Sequence, residues 1–457
     1  MKRNVFVLSL LFPLSLAFGQ WSGYMSTSGK SEMDGGLGMT WIDNQAYYNI
    51  SLQPDLSIGK VGIGLNINLL YNVNNGKFYS QDWKDRQTGK TDWTRIFRYI
   101  RYGHKGDPVY SRLGALDAER LGHGFILNFY NNQIDYEGRK NGLTLDLDFG
   151  YFGFETMTNS LARLEVIGGR GYVRPLWGSD LPILRRLGLG ASAVSDADKG
   201  LKEMDPENKV TTVWGVDVEL PLIKSSALAM MVYADHAKIQ NYGSGQTVGF
   251  RTDFGDLTGW LGLVVNVERR FMGKEFIAPY FGPFYEILRS TTVGELIDFY
   301  KTIGGDEAGI PDAYRNILGP IQVDQKMLLP MMTEKRNAWY GALDLNFFKL
   351  VRVLGSYQKV DKFANSGALH FGAGLSQNIP YLAAEASYDK RGIGTFKDIR
   401  TLDYRSVARV GLGYKVKPYL LLYLDYIWNF VWDPAKEQYK PQERFQPRLA
   451  FRYPLNF

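Results

Sequence analysis

Charged residues recur at every second position in several segments of this sequence. Side chains two residues apart on a strand point to the same side, so each pair would place like charges on one face. Facing walls of opposite charge in a narrow aqueous passage order water and select ionic or dipolar solutes. Alternatively, such charges pair across strands and solvate a wide polar interior. The charges predicted to line an interior are Asp146, Asp148, Asp217, Glu219, Glu268, Asp344, Arg352, Glu385, Arg405, Arg409, Asp425, Arg448 and Arg452.

Four of these arginines lie close to the C-terminus. Arg405 and Arg409 fall on one predicted strand, and Arg448 and Arg452 fall on the last one, two strands further along the chain. Because the two strands are so close, the four side chains could form a single basic wall, with the acidic residues clustered on earlier strands.

Groups that perform covalent or metal chemistry are sparse. The chain has no Cys and only four His among its 457 residues, which excludes disulfides, thiolate metal sites and thiol catalysis. The Gly-x-Ser-x-Gly, His-Glu-x-x-His and phosphate-loop motifs are absent from the sequence. His123 stands between two glycines and could act as a base or a ligand, although a packed imidazole is the more common role. We therefore expect no enzymatic activity, no metal and no cofactor.

The segments that carry the charges alternate apolar with polar or small residues. Leu143, Leu145 and Leu147, for example, are interleaved with Asp146 and Asp148. Many of these segments are about 9 to 12 residues long, which suits a tilted crossing of a bilayer. Twenty of them can be counted between residues 45 and 457, including a poorly alternating one at 124–136. Alternation is weak throughout 94–136, so two of the segments there could fold inward or pair only at the rim.

Other features accompany the alternation and distinguish a membrane barrel from a soluble sandwich. Aromatic residues such as Tyr71, Trp214 and Trp339 lie near segment ends, as in the interfacial girdles of membrane barrels. Short turns alternate with longer polar loops, and only a closed barrel leaves no unpaired backbone in lipid. We predict an all-β fold: a single transmembrane antiparallel β-barrel of about 18–20 strands with short periplasmic turns and long extracellular loops.

The N-terminus indicates export. Lys2 and Arg3 precede an apolar run over residues 5–18, and small residues at Ala17 and Gly19 fit cleavage before Gln20. Residues 1–19 are thus predicted to be a signal peptide, and residues 20–457 the barrel. The pI near 9.0 reflects many charges of both signs. Together with export, this balance argues against nucleic acid as a partner.

The C-terminal residues alternate and end on an aromatic side chain. This last strand resembles the assembly signal of Gram-negative outer-membrane β-barrel proteins, and residues 112–132 are similar to stretches in uncharacterised porin-like barrels, which imply no tested activity. The resemblance implies a place in the outer membrane, contact with its lipid and recognition by the barrel-assembly machinery. The residues that carry the signal are Leu449, Phe451, Tyr453, Leu455 and Phe457.

Two segments could occupy so wide a barrel. Residues 20–43 are too few for a plug domain, but they are polar and glycine-rich and could form a short N-terminal hatch. In the long loop 288–336, Thr292 and Glu295 fit a capping box that opens a short amphipathic helix. This loop could fold into the mouth and constrict it, or cap it from outside. The aromatic stretch 276–285 before it could stack on a ligand or pack at the rim.

Barrels of 16 to 18 strands leave a water-filled channel. The sequence therefore favours a porin-like outer-membrane channel through which small polar or ionic solutes diffuse. A transporter for a hydrophobic or specific solute is one alternative. Another is a barrel without transport activity, such as an adhesin, a scaffold or a component of secretion machinery. A homo-oligomer is possible, with small residues such as Gly341, Ala384 and Ala386 on a contact face.

Overall fold

The computed structural model describes residues 31–42, 44–85, 89–197, 210–225, 227–256, 260–305, 309–310, 312, 322–376, 378–433, 435–436 and 438–455. The predicted signal peptide, residues 1–19, lies outside these residues, and so does Phe457 at the end of the predicted assembly signal. Statements about what the structure contains refer to the described residues.

Twenty antiparallel strands close into one barrel when the two halves of β3, which pair with the same strand, are counted together. Each strand pairs with its neighbours in sequence, and β20 returns to pair with β1. The predicted fold class is confirmed. The strands are β1 (Ser31–Ile42), β2 (Gln45–Ile58), β3 (Val61–Leu65 and Ile67–Asn72), β4 (Phe97–Tyr102), β5 (Val109–Gly114), β6 (Gly142–Asp148), β7 (Phe152–Thr158), β8 (Val166–Val173), β9 (Gly188–Asp196), β10 (Thr211–Lys224), β11 (Ala229–Ile239), β12 (Ser244–Asp256), β13 (Leu261–Met272), β14 (Arg336–Phe347), β15 (Val351–Val360), β16 (Gly367–Leu375), β17 (Leu382–Ile393), β18 (Ser406–Lys417), β19 (Leu420–Asp433) and β20 (Gln438–Leu455).

The outer face of the barrel is apolar because one side of the alternation points outward on every long strand. A soluble protein does not expose so continuous an apolar surface, whereas a membrane barrel requires it. Exposed aromatic residues also gather at the short-turn end, among them Phe149, Phe348 and Tyr381. Members of the apolar belt, each 38–55% exposed, include Trp214, Val216, Val218, Val248, Val267, Leu343, Leu412, Leu422 and Leu449.

The structure decides between the alternatives for two segments. Residues 124–136, counted among the twenty segments, lie inside the barrel, which agrees with the expectation that poorly alternating segments in 94–136 could fold inward. Their apolar residues are buried on several sides rather than on one. Residues 31–42 of the expected hatch instead form β1, paired along its length with β2 and β20. Its glycines, including Gly35 and Gly36, interrupt the alternation that identified the other strands.

Two long connections turn into the barrel instead of extending away from it. The first inner segment, residues 115–141, joins β5 to β6. The second inner segment comprises the described residues between β13 and β14, which are 273–305, 309–310, 312 and 322–335. They meet in a short parallel contact between Leu127 and Phe281. Many of their apolar residues form one buried cluster with wall residues, which include Met157, Val166, Val194, Val213, Ala237, Ile239, Met272, Ala338 and Val360.

Two of the described α-helices belong to the second inner segment and lie inside the barrel. Helix α1 is Tyr285–Leu288, and α2 is Val293–Thr302. The predicted capping box is confirmed, since Thr292 and Glu295 exchange side-chain and backbone hydrogen bonds. A 3-10 turn follows at Gln325–Met331. Elsewhere, α3 (Phe396–Ile399) lies in the loop between β17 and β18. No helix among the described residues is both long and apolar enough to cross a membrane.

Closure of the barrel depends on the close approach of β1 and β20. A larger side chain in place of Gly38 tests this dependence. A Cβ at this position would collide with the carbonyl oxygen of Pro447 and stand 2.7 Å from the Cα of Arg448. We expect Gly38→Val to prevent formation of the closed barrel, measured as loss of the compact, heat-modifiable form on an electrophoresis gel. Gly355→Ala is the matched control, because no atom lies within 4 Å of its added Cβ. Equal yields of the closed form would contradict this role for Gly38.

Candidate functional site

The predicted interior charges are compensated locally. Each contacts an oppositely charged side chain, in most cases on another strand or on a loop, although Glu268 and Arg270 share β13. The arginines near the C-terminus are included, so the expected basic wall is replaced by separate ion pairs. The pairs are Asp146–Lys105 (2.5 Å), Asp148–Arg174 (2.9 Å), Asp217–Arg170 (2.6 Å), Glu219–His123 (3.1 Å), Glu268–Arg270 (2.7 Å), Asp344–Arg352 (2.7 Å), Glu385–Arg409 (3.7 Å), Asp425–Arg448 (3.0 Å), Arg452–Asp34 (2.7 Å) and Arg405–Asp403 (2.8 Å).

Arg405 departs from the predicted wall. It immediately precedes β18, which begins at Ser406, and so belongs to the loop between β17 and β18. Its guanidinium contacts Asp403 and donates to the carbonyl oxygen of Gly392 at 3.0 Å. The predicted strand extended into the loop before Ser406, because the loop residues continue the alternation of the strand.

The first inner segment is fixed to the wall by His123. Its ring lies between the carboxylates of Asp235 (3.0 Å) and Glu219 (3.1 Å) and stacks on Tyr233, with ring centroids 4.0 Å apart. His123, Asp217 and Glu219 have the composition of a metal site. However, Arg170 donates to both oxygens of Asp217, so these groups form an ion-paired network.

The carboxylates around His123 determine its charge. Burial disfavours the protonated ring, but the nearby Asp235 and Glu219 raise the pKa of His123 to about 10. His123 lies in the first inner segment, outside the spanning strands. The imidazolium therefore links this segment to the wall by charge at neutral pH. This role was not predictable from the sequence, since both partners are about 100 residues away in the chain.

A second network joins the two inner segments to each other. Lys140 of the first segment contacts Glu286 of the second at 2.8 Å. Arg289 of the second segment contacts Glu165 and Asp196 of the wall region, each at 2.9 Å. Burial alone would raise the pKa of Glu286, but Lys140 and Arg289 lower it well below its usual range. Tyr130 and Asn159 also donate to Glu286.

A third network lies on the opposite side of the barrel, against β20. Arg444 is 0% exposed, and its two terminal nitrogens each lie 3.0 Å from one carboxylate oxygen of Asp82, in the loop between β3 and β4. Glu137 of the first inner segment is 3.5 Å away, and the ring of Tyr136 lies 4.0 Å below the guanidinium. Buried charges thus hold the inner segments at β8–β11 and at β20.

The described residues of β12–β17 and the inner segments line three cavities on this side of the barrel. The upper cavity has a volume of about 120 Å³, the middle one about 50 Å³ and the lower one about 360 Å³. Phe129 and Tyr340 line both the upper and the middle cavity. Asp344 and Arg352 line both the middle and the lower cavity. The three cavities therefore form a series that ends beside the short turn at Lys349.

Phe129 stands where the upper and the middle cavity meet, since it lines both. Its ring stacks on His370, with centroids 3.9 Å apart, and its backbone has a left-handed conformation (φ 51°). Few residues other than glycine adopt that conformation. On the opposite side, the hydroxyl of Tyr340 accepts a hydrogen bond of 3.4 Å from Asn128. Phe129 was not among the predicted site residues, because an inward fold of 124–136 was only one of the alternatives for that segment and its partners are distant in sequence.

A closed antiparallel barrel with an apolar exterior and an occupied polar interior defines the class of the protein: it is a porin-like transmembrane β-barrel. No family model and no curated protein matches the chain. Solved structures that resemble it are themselves barrels of the outer membrane.

Three of those structures cover most of this chain at low sequence identity. OccK8 (OprE) of Pseudomonas aeruginosa is 10% identical with a TM-score of 0.33, covering 93% of this chain and 98% of that one. OccK2 (OpdF) of the same organism, solved with glucuronate, is 9% identical with a TM-score of 0.31, covering 93% and 98%. The ferric enterobactin receptor PfeA is 8% identical with a TM-score of 0.34, covering 93% and 81%. These values are too low to transfer a solute or a mechanism, so the fold rests on the strand pairing of the chain itself.

Arg289 tests whether buried charge holds the inner segments in place. Arg289→Met leaves Asp196 without its arginine, while Lys140 and Arg163 still contact the remaining acidic residues of the network. Breaking such a buried network costs about 3–5 kcal/mol. We expect the second inner segment to become cleavable by protease at lower urea concentration. Arg409→Met is the control, because its pair with Glu385 is partly exposed and should contribute about 0–1 kcal/mol. Equal shifts in the two variants would contradict the proposed role.

His123 predicts a pH dependence. Its pKa is raised in the folded protein, from about 6.5 in an unfolded chain, to about 10. The stabilisation is therefore fully present below pH 6.5 and is lost as the pH rises through 10. Between pH 6.5 and pH 10, the free energy of unfolding should fall by on the order of 1–4 kcal/mol in the unmodified protein and by less in His123→Gln. Thermal unfolding at a series of pH values measures this fall. Parallel stability–pH curves for the two proteins would contradict this assignment.

Proposed function

We propose that the protein is an outer-membrane channel for small solutes whose route is confined to the three cavities along β12–β17. The observation that carries this proposal is the sharing of lining residues between successive cavities. Phe129 and Tyr340 link the upper cavity to the middle one, and Asp344 and Arg352 link the middle cavity to the lower one. A solute that moved one or two side chains would pass from one cavity to the next.

The occupied interior favours a selective route over a wide one. The inner segments pack against the wall through buried apolar residues and charge networks on the other sides. The upper cavity is lined by aromatic rings, whereas the lower one is lined by Asp253, Asp344, Lys349 and Arg352. A solute would thus meet an apolar environment and then a charged one, which supports the alternative of a channel for a specific solute.

We also propose roles in export and assembly for the two ends of the chain. Residues 1–19 would direct export, and the outward-facing Leu449, Phe451 and Tyr453 of β20 would contact the barrel-assembly machinery. Their exposure on the outer face supports this role. We further propose that the protein self-associates through the barrel face that carries Gly341. We propose no enzymatic activity for the chain.

Recording from single molecules in a planar bilayer tests the route. Phe129→Ala removes the ring between the upper and middle cavities, so unitary conductance should rise by about twofold or more. Phe348→Ala is the matched control, because that ring is 63% exposed in a turn outside the lumen. If both variants conduct like the unmodified protein, the route does not pass Phe129. If correctly folded protein shows no conductance and no solute flux, the channel proposal is wrong.

A further inference from the structure

The connection between β8 and β9, residues 174–187, is the longest connection at the short-turn end of the barrel. Its backbone is held by internal hydrogen bonds. The N–H of Arg185, for example, donates to the carbonyl oxygen of Leu181 at 3.1 Å, and a 3-10 turn covers Leu184–Arg186. Because its backbone is fixed in this way, the β8–β9 connection presents a defined set of side chains on its surface.

Four large apolar side chains of the β8–β9 connection are exposed. Between 42% and 47% of the surface of each is accessible, so the described residues of the chain do not cover them. A protein surface in water rarely carries so many large apolar residues in one short stretch. The four residues are Trp177, Leu181, Ile183 and Leu184.

These side chains continue the lipid-facing surface of the barrel. Phe152, Val173 and Leu189 lie side by side on β7, β8 and β9, where they are exposed on the outer face. The β8–β9 connection begins at the residue after Val173. Its Trp177 packs against the neighbouring turn, since a Cβ on Gly150 would stand 3.3 Å from the indole ring. This continuity favours the membrane over a soluble protein as the partner of the exposed side chains.

Positive charge lies next to the apolar side chains. Within the described part of the chain, no acidic side chain contacts Arg185 or Arg186, and this includes Asp180 of the same connection. Lys224, exposed at the end of β10, is close enough to Arg186 to feel its charge. Arg174 differs from these residues because it is paired with an aspartate of β6 at 2.9 Å. Uncompensated basic side chains at a membrane surface attract anionic lipids.

We propose that the β8–β9 connection binds anionic phospholipid in the periplasmic leaflet of the membrane. Leu181, Ile183 and Leu184 enter the boundary of the acyl chains, and Arg185 and Arg186 bind the lipid phosphate. Segments that lie in a membrane interface combine apolar and basic side chains in this way. The proposal goes beyond the channel, because the surface is outside the lumen and does not depend on transport.

A fluorescent label on the β8–β9 connection tests the proposal. Since the chain has no cysteine, Leu184→Cys can be labelled alone and the full-length barrel placed in vesicles that contain brominated lipid, which quenches a nearby fluorophore. We expect quenching by both brominated phosphatidylcholine and brominated phosphatidylglycerol, with a local affinity about fivefold or more higher for phosphatidylglycerol.

Two double variants of the labelled protein assign the preference. Arg185→Gln with Arg186→Gln should abolish the preference for phosphatidylglycerol and leave the quenching itself in place. Lys397→Gln with Arg400→Gln is the matched control, because it removes the same charge from an exposed loop at the other end of the barrel, between β17 and β18. This control should keep the preference of the labelled parent.

Each remaining outcome would overturn part of the proposal. A label that neither lipid quenches would refute membrane contact and indicate a soluble partner for the apolar side chains. Equal quenching by the two lipids in the labelled parent, or a preference that survives in Arg185→Gln with Arg186→Gln, would refute phosphate binding by these arginines. If that double variant does not fold, the comparison of the two lipids in the labelled parent still decides.

Discussion

The constraint on which the structure depends is that a barrel in lipid must satisfy every backbone hydrogen bond within its own wall. Twenty strands meet this requirement when β20 returns to β1. A wall of that circumference encloses more space than its own side chains can fill. The two inner segments occupy this space, and their apolar residues form a core with the inward-facing wall. The barrel therefore has two apolar regions, one facing lipid and one in its centre, with polar groups between them.

Charge determines where the inner segments are held and where the lumen stays open. In the low dielectric of the interior, an ion pair is strong and an unpaired charge is costly. The networks around His123, Arg289 and Arg444 lie at β8–β11 and β20. Along β12–β17, the contacts between the wall and the described residues of the inner segments are hydrogen bonds and ring contacts rather than ion pairs. Examples are the hydrogen bonds from Arg336 to the carbonyl oxygen of Phe276 and from Asn128 to Tyr340. The cavities occur on this side.

The sequence predicted the wall well and the interior poorly, for a physical reason. Period-two alternation directly records that one face meets lipid, so the fold class and strand number could be read from it. Glycines concealed β1, and burial on several sides made residues 124–136 resemble a strand. Capping of α2 by Thr292 was predictable because it is local. The partners of His123 and the stacking of Phe129 depend on residues distant in sequence, which alternation does not record.

The central claim is that the first inner segment lies inside the barrel against β8 and β10. Since the chain has no cysteine, a single introduced pair tests it directly. A Cβ on Gly168 would stand 2.9 Å from Cδ1 of Leu121. Leu121→Cys with Gly168→Cys should therefore cross-link in the folded barrel in its membrane, by oxidation or with a short bifunctional thiol reagent. Absence of the cross-link, in protein that folds and reacts at each cysteine after unfolding, would contradict the occupied lumen.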